Sequence, residues 1–223
     1  MHRGAKLTIS AAAIAVLGAS GVVAVRDGIT DTAVNAANIE MSTWNASGVE
    51  PGAQTQRWVR EDLEQAVASI PGDPVSHELL GTLAMRNLGN PENAQLAFNQ
   101  YREALTLRPT SSFTWARLAD LRYRTGDTGP QFQDYLRRAA QMGPSDPEIQ
   151  RAGAFLGLAV YDEISEPTRA AVDRLIESGL RRNALEMMRI SERRGRLDVT
   201  CRLVEGMASG IDSKSSQFCQ GTG

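Results

Sequence analysis

The chain has 223 residues, 42% apolar and 22% charged, which is the balance of a globular protein with enough material for a core, not of a disordered or collagen-like chain. Twenty-four basic residues against twenty-six acidic ones leave a net charge of -2, so no whole-chain electrostatic footprint for nucleic acid exists. Two histidines, one of them His2, and two cysteines exclude a multi-histidine metal site and a zinc-finger spacing; the functions left are mostly those of surfaces.

Residues Leu7 to Val25 carry no charge and are bracketed by His2, Arg3 and Lys6 before and by Arg26 and Asp27 after. A helix needs about twenty residues to cross the hydrocarbon layer, so this stretch is long enough to span and also has the make-up of a signal sequence. The preceding positive charges favour an N-terminus inside and a translocated body. The expectation is a single-pass segment over residues 1–26 in the inner (cytoplasmic) membrane, with the C-terminal domain on the periplasmic side. Cleavage after the small residues near Val22-Val23-Ala24 is the alternative. Residues 27–56, rich in Asn, Ala, Thr, Ser and Gly, read as a spacer with a short helix around Ala33 to Trp44 and a loop ending in Gly48, Pro51 and Gly52.

A repeat follows. Val59, Leu63, Ala66, Pro71, then Ala97, Tyr101, Ala104, Pro109, then Phe132, Leu136, Ala139, Pro144 share offsets of four, three and five. The first two offsets place side chains on one helical face, and the proline falls where a helix has stopped. Nine and ten residues after each proline come Leu80-Gly81, Leu118-Ala119 and Gly153-Ala154, whose small members let helices approach closely. Six residues after the prolines stand His77, Trp115 and Gln150. These residues resemble the tetratricopeptide repeat (TPR), a helix-turn-helix unit. Trp115-x2-Leu118-Ala119 matches the first half of its pattern, and Ala97-x3-Tyr101 with Pro109 the second. The departures are a turn lengthened by Gly89-Asn90-Pro91 and Arg122 where an aromatic is usual. The expected fold is all-α, a helical-hairpin solenoid over residues 57–165 behind an N-terminal transmembrane helix.

Residues 166–205 read as capping helices that cover the last apolar face. One starts at Glu166-Pro167 and ends at Gly179, a second runs from Arg181 to Arg193 with Leu185, Met188 and Ser191 inward, and a short one spans Leu197 to Leu203 after Gly195. Residues 206–223 read as a frayed tail. Cys201 and Cys219 stand eighteen positions apart. In an oxidising compartment they form a disulfide contributing about 3 kcal/mol; otherwise Cys201 is buried and Cys219 free.

Candidate chemistry is thin. His77 occupies the place Trp115 takes in the next repeat, so packing explains it without catalysis. Glu61, Asp62 and Glu64 read as a solvated helix side, and Asp162, Glu163 and Glu166 lack the ring of oxygen ligands a calcium loop requires. No phosphate-binding glycine loop occurs. No catalytic, cofactor-binding or metal site is therefore expected. From Asp27 to Glu78 nine acidic residues face Arg57 and Arg60, whereas Arg181 to Arg202 holds seven arginines against Glu186, Glu192 and Asp198. Extended from the Leu118-Ala119 register, the concave face is lined by Thr82, Met85, Phe113, Ala116, Asp120, Tyr123, Arg151 and Phe155, a mixture that suits a peptide or a partner helix.

The order of features, from the membrane segment through Trp44, Pro71-Gly72-Asp73-Pro74 and the two repeats to Gly195-Arg196-Leu197 and Cys201, resembles the VpsP-like proteins of bacterial exopolysaccharide clusters. That resemblance implies a membrane-anchored scaffold holding envelope proteins in polysaccharide synthesis or export. Assembly of another envelope machine, such as cytochrome maturation or secretion, is the alternative, followed by a carboxylate-dependent enzyme or sugar-binding protein using Asp162.

Overall fold

The computed structural model describes Gly28, residues 30–207 and Cys219. The expected membrane segment at Leu7 to Val25, and most of the 206–223 tail, lie outside the described residues. Among those described, no strand occurs and no helix is long and apolar enough to cross a membrane. The chain divides into two compact units, Met1–Leu83 and Ala84–Gly223.

In the first unit α1 spans residues 30–47, α2 is Ala53–Ser69 and α3 is Pro74–Ala84, whose last residue begins the second unit. Ala37, Met41 and Trp44, one helical face by their spacing, are buried with Val59 and Leu63 of α2 and Leu80 and Leu83 of α3. The segment read as spacer therefore holds a longer helix that shares a core, because its three apolar positions fall on one stripe. Asp73 starts α3: its carboxylate accepts from the amides of Val75 at 3.1 Å and Ser76 at 2.9 Å, and from the Ser76 hydroxyl.

The second unit opens with a 3₁₀ turn, Met85–Asn87, followed by α4 (Pro91–Leu107), α5 (Ser112–Arg124), α6 (Pro130–Met142), α7 (Pro147–Ala159), α8 (Glu166–Arg193) and α9 (Leu197–Gly206). Local chemistry sets several of these starts. Asn90 accepts from the Glu92 amide, Ser111 from the Thr114 amide and Asp146 from the Glu148 amide, while α4, α6, α7 and α8 carry proline in the first turn. α5 packs on α6 and α7, α6 and α7 pack on α8, and α8 packs on α9. Tyr101, Phe132, Leu136 and Ala139 of the repeated apolar sets are essentially without solvent exposure.

The position six residues after each repeat proline has one job in all three copies. His77 Nε2 lies 3.1 Å from the Pro71 carbonyl oxygen, Trp115 Nε1 donates to the Pro109 carbonyl at 2.9 Å, and Gln150 Nε2 donates to the Pro144 carbonyl at 3.1 Å. The turn exposes a carbonyl that no helix amide reaches, and any side chain with a ring or amide nitrogen at that offset satisfies it. Three unlike residue types share the site for that reason.

The largest departure from the sequence reading is in α8. It does not stop at Gly179 but continues to a break at Asn183, where φ is -151° and ψ is 81°. Gly179 serves a close approach instead: a Cβ there would lie 2.6 Å from Met187 Sδ. Asn183 restarts the helix, its Oδ1 accepting from the Glu186 amide at 3.2 Å. Met188 and Ser191 point inward, but Leu185, expected with them, is 39% exposed. Gly195, at φ 65°, turns the chain into α9. There the Thr200 hydroxyl meets Ser191 Oγ at 2.5 Å and Cys201 is bonded to Cys219.

Packing of α7 on α8 leaves no room for a methyl group. A Cβ on Gly157 would lie 2.4 Å and 2.6 Å from the two methyl carbons of Val172, a β-branched side chain with little freedom to turn aside. Gly157→Ala is expected to lower stability by about 1–2 kcal/mol, the overpacking cost less the gain in helix propensity. Gly206→Ala, in α9 with nothing within 4 Å, is expected to be neutral or stabilising. Thermal unfolding followed by circular dichroism compares the two, and equal melting temperatures would contradict the close approach.

Candidate functional site

An open groove of about 320 Å³ lies between α5, α7 and the second half of α8. Helical spacing builds each wall. On α5, Phe113, Ala116 and Asp120 follow at three and four residues; on α7, Arg151 and Phe155 stand four apart, with Ala152 and Leu156 alongside; α8 adds Glu186, Ile190 and Arg193.

Five of the eight residues predicted for the partner-binding face thus come together: Phe113, Ala116, Asp120, Arg151 and Phe155. Tyr123, one turn further along α5, stands behind the groove, its hydroxyl 3.5 Å from Arg194 Nη1 and its ring 6.5 Å from Phe132. Thr82 is elsewhere, in the first unit, with its hydroxyl donating to the Glu78 carbonyl at 2.8 Å. Met85 is corrected outright. It is 3% exposed, and its sulfur accepts from the Tyr101 hydroxyl at 3.2 Å. The 3₁₀ turn at Met85–Asn87 breaks the register from which it was extrapolated and sends the side chain into the core. The α8 residues fall outside the predicted face because that face is extrapolated only along the first helix of each repeat, and α8 lies beyond the repeats. Asn183-x-x-Glu186, a capping pattern, was the available signal.

Charges in the groove are mostly spoken for. Arg117 reaches Glu148 at 3.3 Å while its guanidinium sits 4.6 Å from the Phe113 ring centroid, and Arg151 reaches Glu186 at 3.8 Å. The Arg194 guanidinium lies 3.3 Å from the centroid of Phe155 and 5.6 Å from that of Tyr123. Its Nε and Nη2 are buried with no hydrogen-bond partner. Burial raises the Asp120 carboxyl above its ordinary value, and the neighbouring Arg124, Arg117 and Arg194 offset this only in part.

Three titratable groups outside the groove, Asp162, Tyr161 and Asp173, have local partners. Asp162 pairs with Arg196 at 2.5 Å. Tyr161 is pushed up to about 12 by burial and by its 2.8 Å hydrogen bond to Asp173, itself raised by burial. Among the described residues no group of three or more His, Cys, Asp or Glu is placed to hold a metal ion. The groove offers apolar surface, arginine side chains and one carboxyl raised by burial.

No protein-family model matches the chain, and no curated protein matches it. A solved structure reported under "Functional Characterization of Pseudomonas Aeruginosa pilF" is similar in fold, with a TM-score of 0.54 and 18% sequence identity over 86% of this chain and 82% of that one. PilF contains tetratricopeptide repeats, and the chain has a TPR-like all-helical fold.

The raised Asp120 sets a pH test. A carboxyl with a folded value above its unfolded 3.8 favours folding only while protonated; that contribution is full below the unfolded value and is lost as pH rises through the folded one. Asp120→Asn, which never ionises, is expected to melt higher than the parent at pH 7 and level with it in acid below pH 4. Melting curves at the two pH values decide it; a variant less stable at pH 7 would show that Asp120 supports the fold.

Proposed function

We propose that the chain is a scaffold that holds partner proteins through the α5–α7–α8 groove and that it works as a binding protein, not as an enzyme. The observation that carries this is the convergence of Phe113, Phe155, Ile190 and Leu156 on an open groove rimmed by charged side chains, the make-up of a surface for a peptide or helix. A TPR-like fold supports the reading, since stacked helical hairpins present extended surfaces of this kind.

The setting we propose is the bacterial cell envelope. The apolar stretch Leu7 to Val25 holds the chain in the inner membrane with its body outside the cytoplasm, and the partners belong to exopolysaccharide synthesis or export. The support is the charge bracket around that stretch and the resemblance to VpsP-like proteins. The bond between Cys201 and Cys219 is the kind that persists in an oxidising compartment.

Affinity capture from detergent-solubilised membranes, comparing the parent with a Phe155→Ala, Arg151→Ala variant of unchanged helix content, tests the groove. The parent is expected to retain glycosyltransferase or polysaccharide-polymerase components and the variant to lose them. An identical partner set would remove the groove from the function, and haem-handling or secretion proteins in the parent would point to another envelope machine. Compartment is tested by alkylating thiols in cells lysed without reductant. Cys201 and Cys219 are expected to resist labelling, and replacing both with serine is expected to cost about 3 kcal/mol of stability, the value for a loop of this size. Two freely labelled thiols would place the domain in the cytoplasm.

A further inference from the structure

The wall that α8 supplies to the groove is backed by α9. Ser191 stands between the lining residues Ile190 and Arg193 without lining the groove itself, and its hydroxyl meets Thr200 Oγ1 at 2.5 Å. Val199 is buried in the same cluster as Met187, Met188 and Ile190. The turn between the two helices is tied down on either side of Gly195: the Arg194 guanidinium lies 3.3 Å from the centroid of Phe155, a lining residue, and Arg196 pairs with Asp162 at 2.5 Å. Where α9 sits therefore bears on where Ile190, Arg194 and Phe155 sit. Yet α9 has ten residues, fewer than the roughly 12–15 an isolated helix needs to persist in water. It depends on its packing and on the bond from Cys201, next to Thr200, to Cys219, which packs half-buried against the same core.

We infer that this bond is a maturation switch for the groove: while Cys201 and Cys219 are thiols α9 is loosely held, and the α8 wall is set only when they are joined. The inference rests on the groove reading above and adds its regulation. Closing the bond removes two electrons and two protons from the pair, and a disulfide-bearing oxidant accepts them as it becomes two thiols. Exchange enters through Cys219, the more exposed of the two sulfur-bearing residues. Oxidants of that class prevail outside the cytoplasm, so a chain still on the cytoplasmic side keeps an unset groove and translocation completes it.

Hydrogen exchange read by mass spectrometry on the full chain in detergent tests the coupling. Three forms are compared: oxidised parent, parent treated with a phosphine reductant, and Cys219→Ser, which removes the bond while leaving buried Cys201 in place. At short labelling times both bond-free forms are expected to exchange about tenfold faster over residues 184–206, with little change over α4 to α6, because stacked helices pass a disturbance chiefly to their neighbours. Unchanged exchange over 184–206, once alkylation shows both thiols of the reduced parent free, would overturn the inference. So would an equal acceleration over α4 to α6, which would make the bond a staple of the whole unit. Affinity capture separates the inference from the groove reading, since Cys219→Ser is expected to lose the partners that the Phe155→Ala, Arg151→Ala variant loses. Partners kept by Cys219→Ser and lost by the groove variant would overturn the switch alone; partners kept by both would overturn the groove reading with it.

Discussion

The second unit depends on how closely α8 lies against α7. Gly153 and Gly157 stand one turn apart on α7, and a methyl group on either would fall within 2.2–2.4 Å of a Leu175 or Val172 side-chain carbon. With hydrogens in place of methyl groups, the backbone of one helix serves as packing surface for the branched side chains of the next. The same device recurs at Gly179, where Met187 from beyond the break fills the space a side chain would have used. Had Gly179 ended the helix, the following residues would have left along another path. Because the helix instead runs to Asn183 before breaking, its restarted half presents Glu186, Ile190 and Arg193 to α5 and α7, and that presentation turns a pair of helix faces into a groove.

Turns carry a second constraint of the same local kind. Each repeat proline ends a helix and leaves its own carbonyl facing the start of the next one. The nitrogen donors of His77, Trp115 and Gln150 answer it from an identical offset. A histidine that invites a catalytic reading is there as one of three interchangeable donors. Gln150 does more than its counterparts, since the same Nε2 also donates to Ser178 Oγ at 2.8 Å and so ties the turn before α7 to α8.

These two constraints explain which parts of the molecule were legible in the sequence. The apolar sets ending in Pro71, Pro109 and Pro144 repeat at constant offsets, so the helices and their buried faces follow from periodicity, and so does the part of the groove that α5 and α7 contribute. Met85 failed because a register is carried forward only through continuous α-helix, and three residues of 3₁₀ geometry rotate everything beyond Ala84. The first helix was undervalued for a different reason: Ala37, Met41 and Trp44 are sparse among small and polar neighbours, and only the partners supplied by α2 and α3 make that stripe a core. At Gly179 the obstacle was chemical ambiguity. Glycine ends helices and also permits contact, and the choice between those roles is made by Met187, eight residues on in a stretch with no repeat to guide it.

Stability and recognition pull apart in the groove. Elsewhere in the second unit the largest buried side chains are apolar, as at Phe132, Leu136, Met188 and Ile176, although Arg122 and Arg137 also keep a buried Nε without a hydrogen-bond partner and burial raises the Asp173 carboxyl. In and behind the groove the chain keeps a carboxyl that burial pushes toward its neutral form and a guanidinium with two unanswered donors. Apolar residues of similar size in both places would fill the same volume without the desolvation penalty. At Asp120 and Arg194 this polar burial lies beside half-exposed Phe155, at the edge of the groove proposed to bind. On the proposed reading, a ligand that supplied hydrogen bonds there would recover part of that cost as affinity.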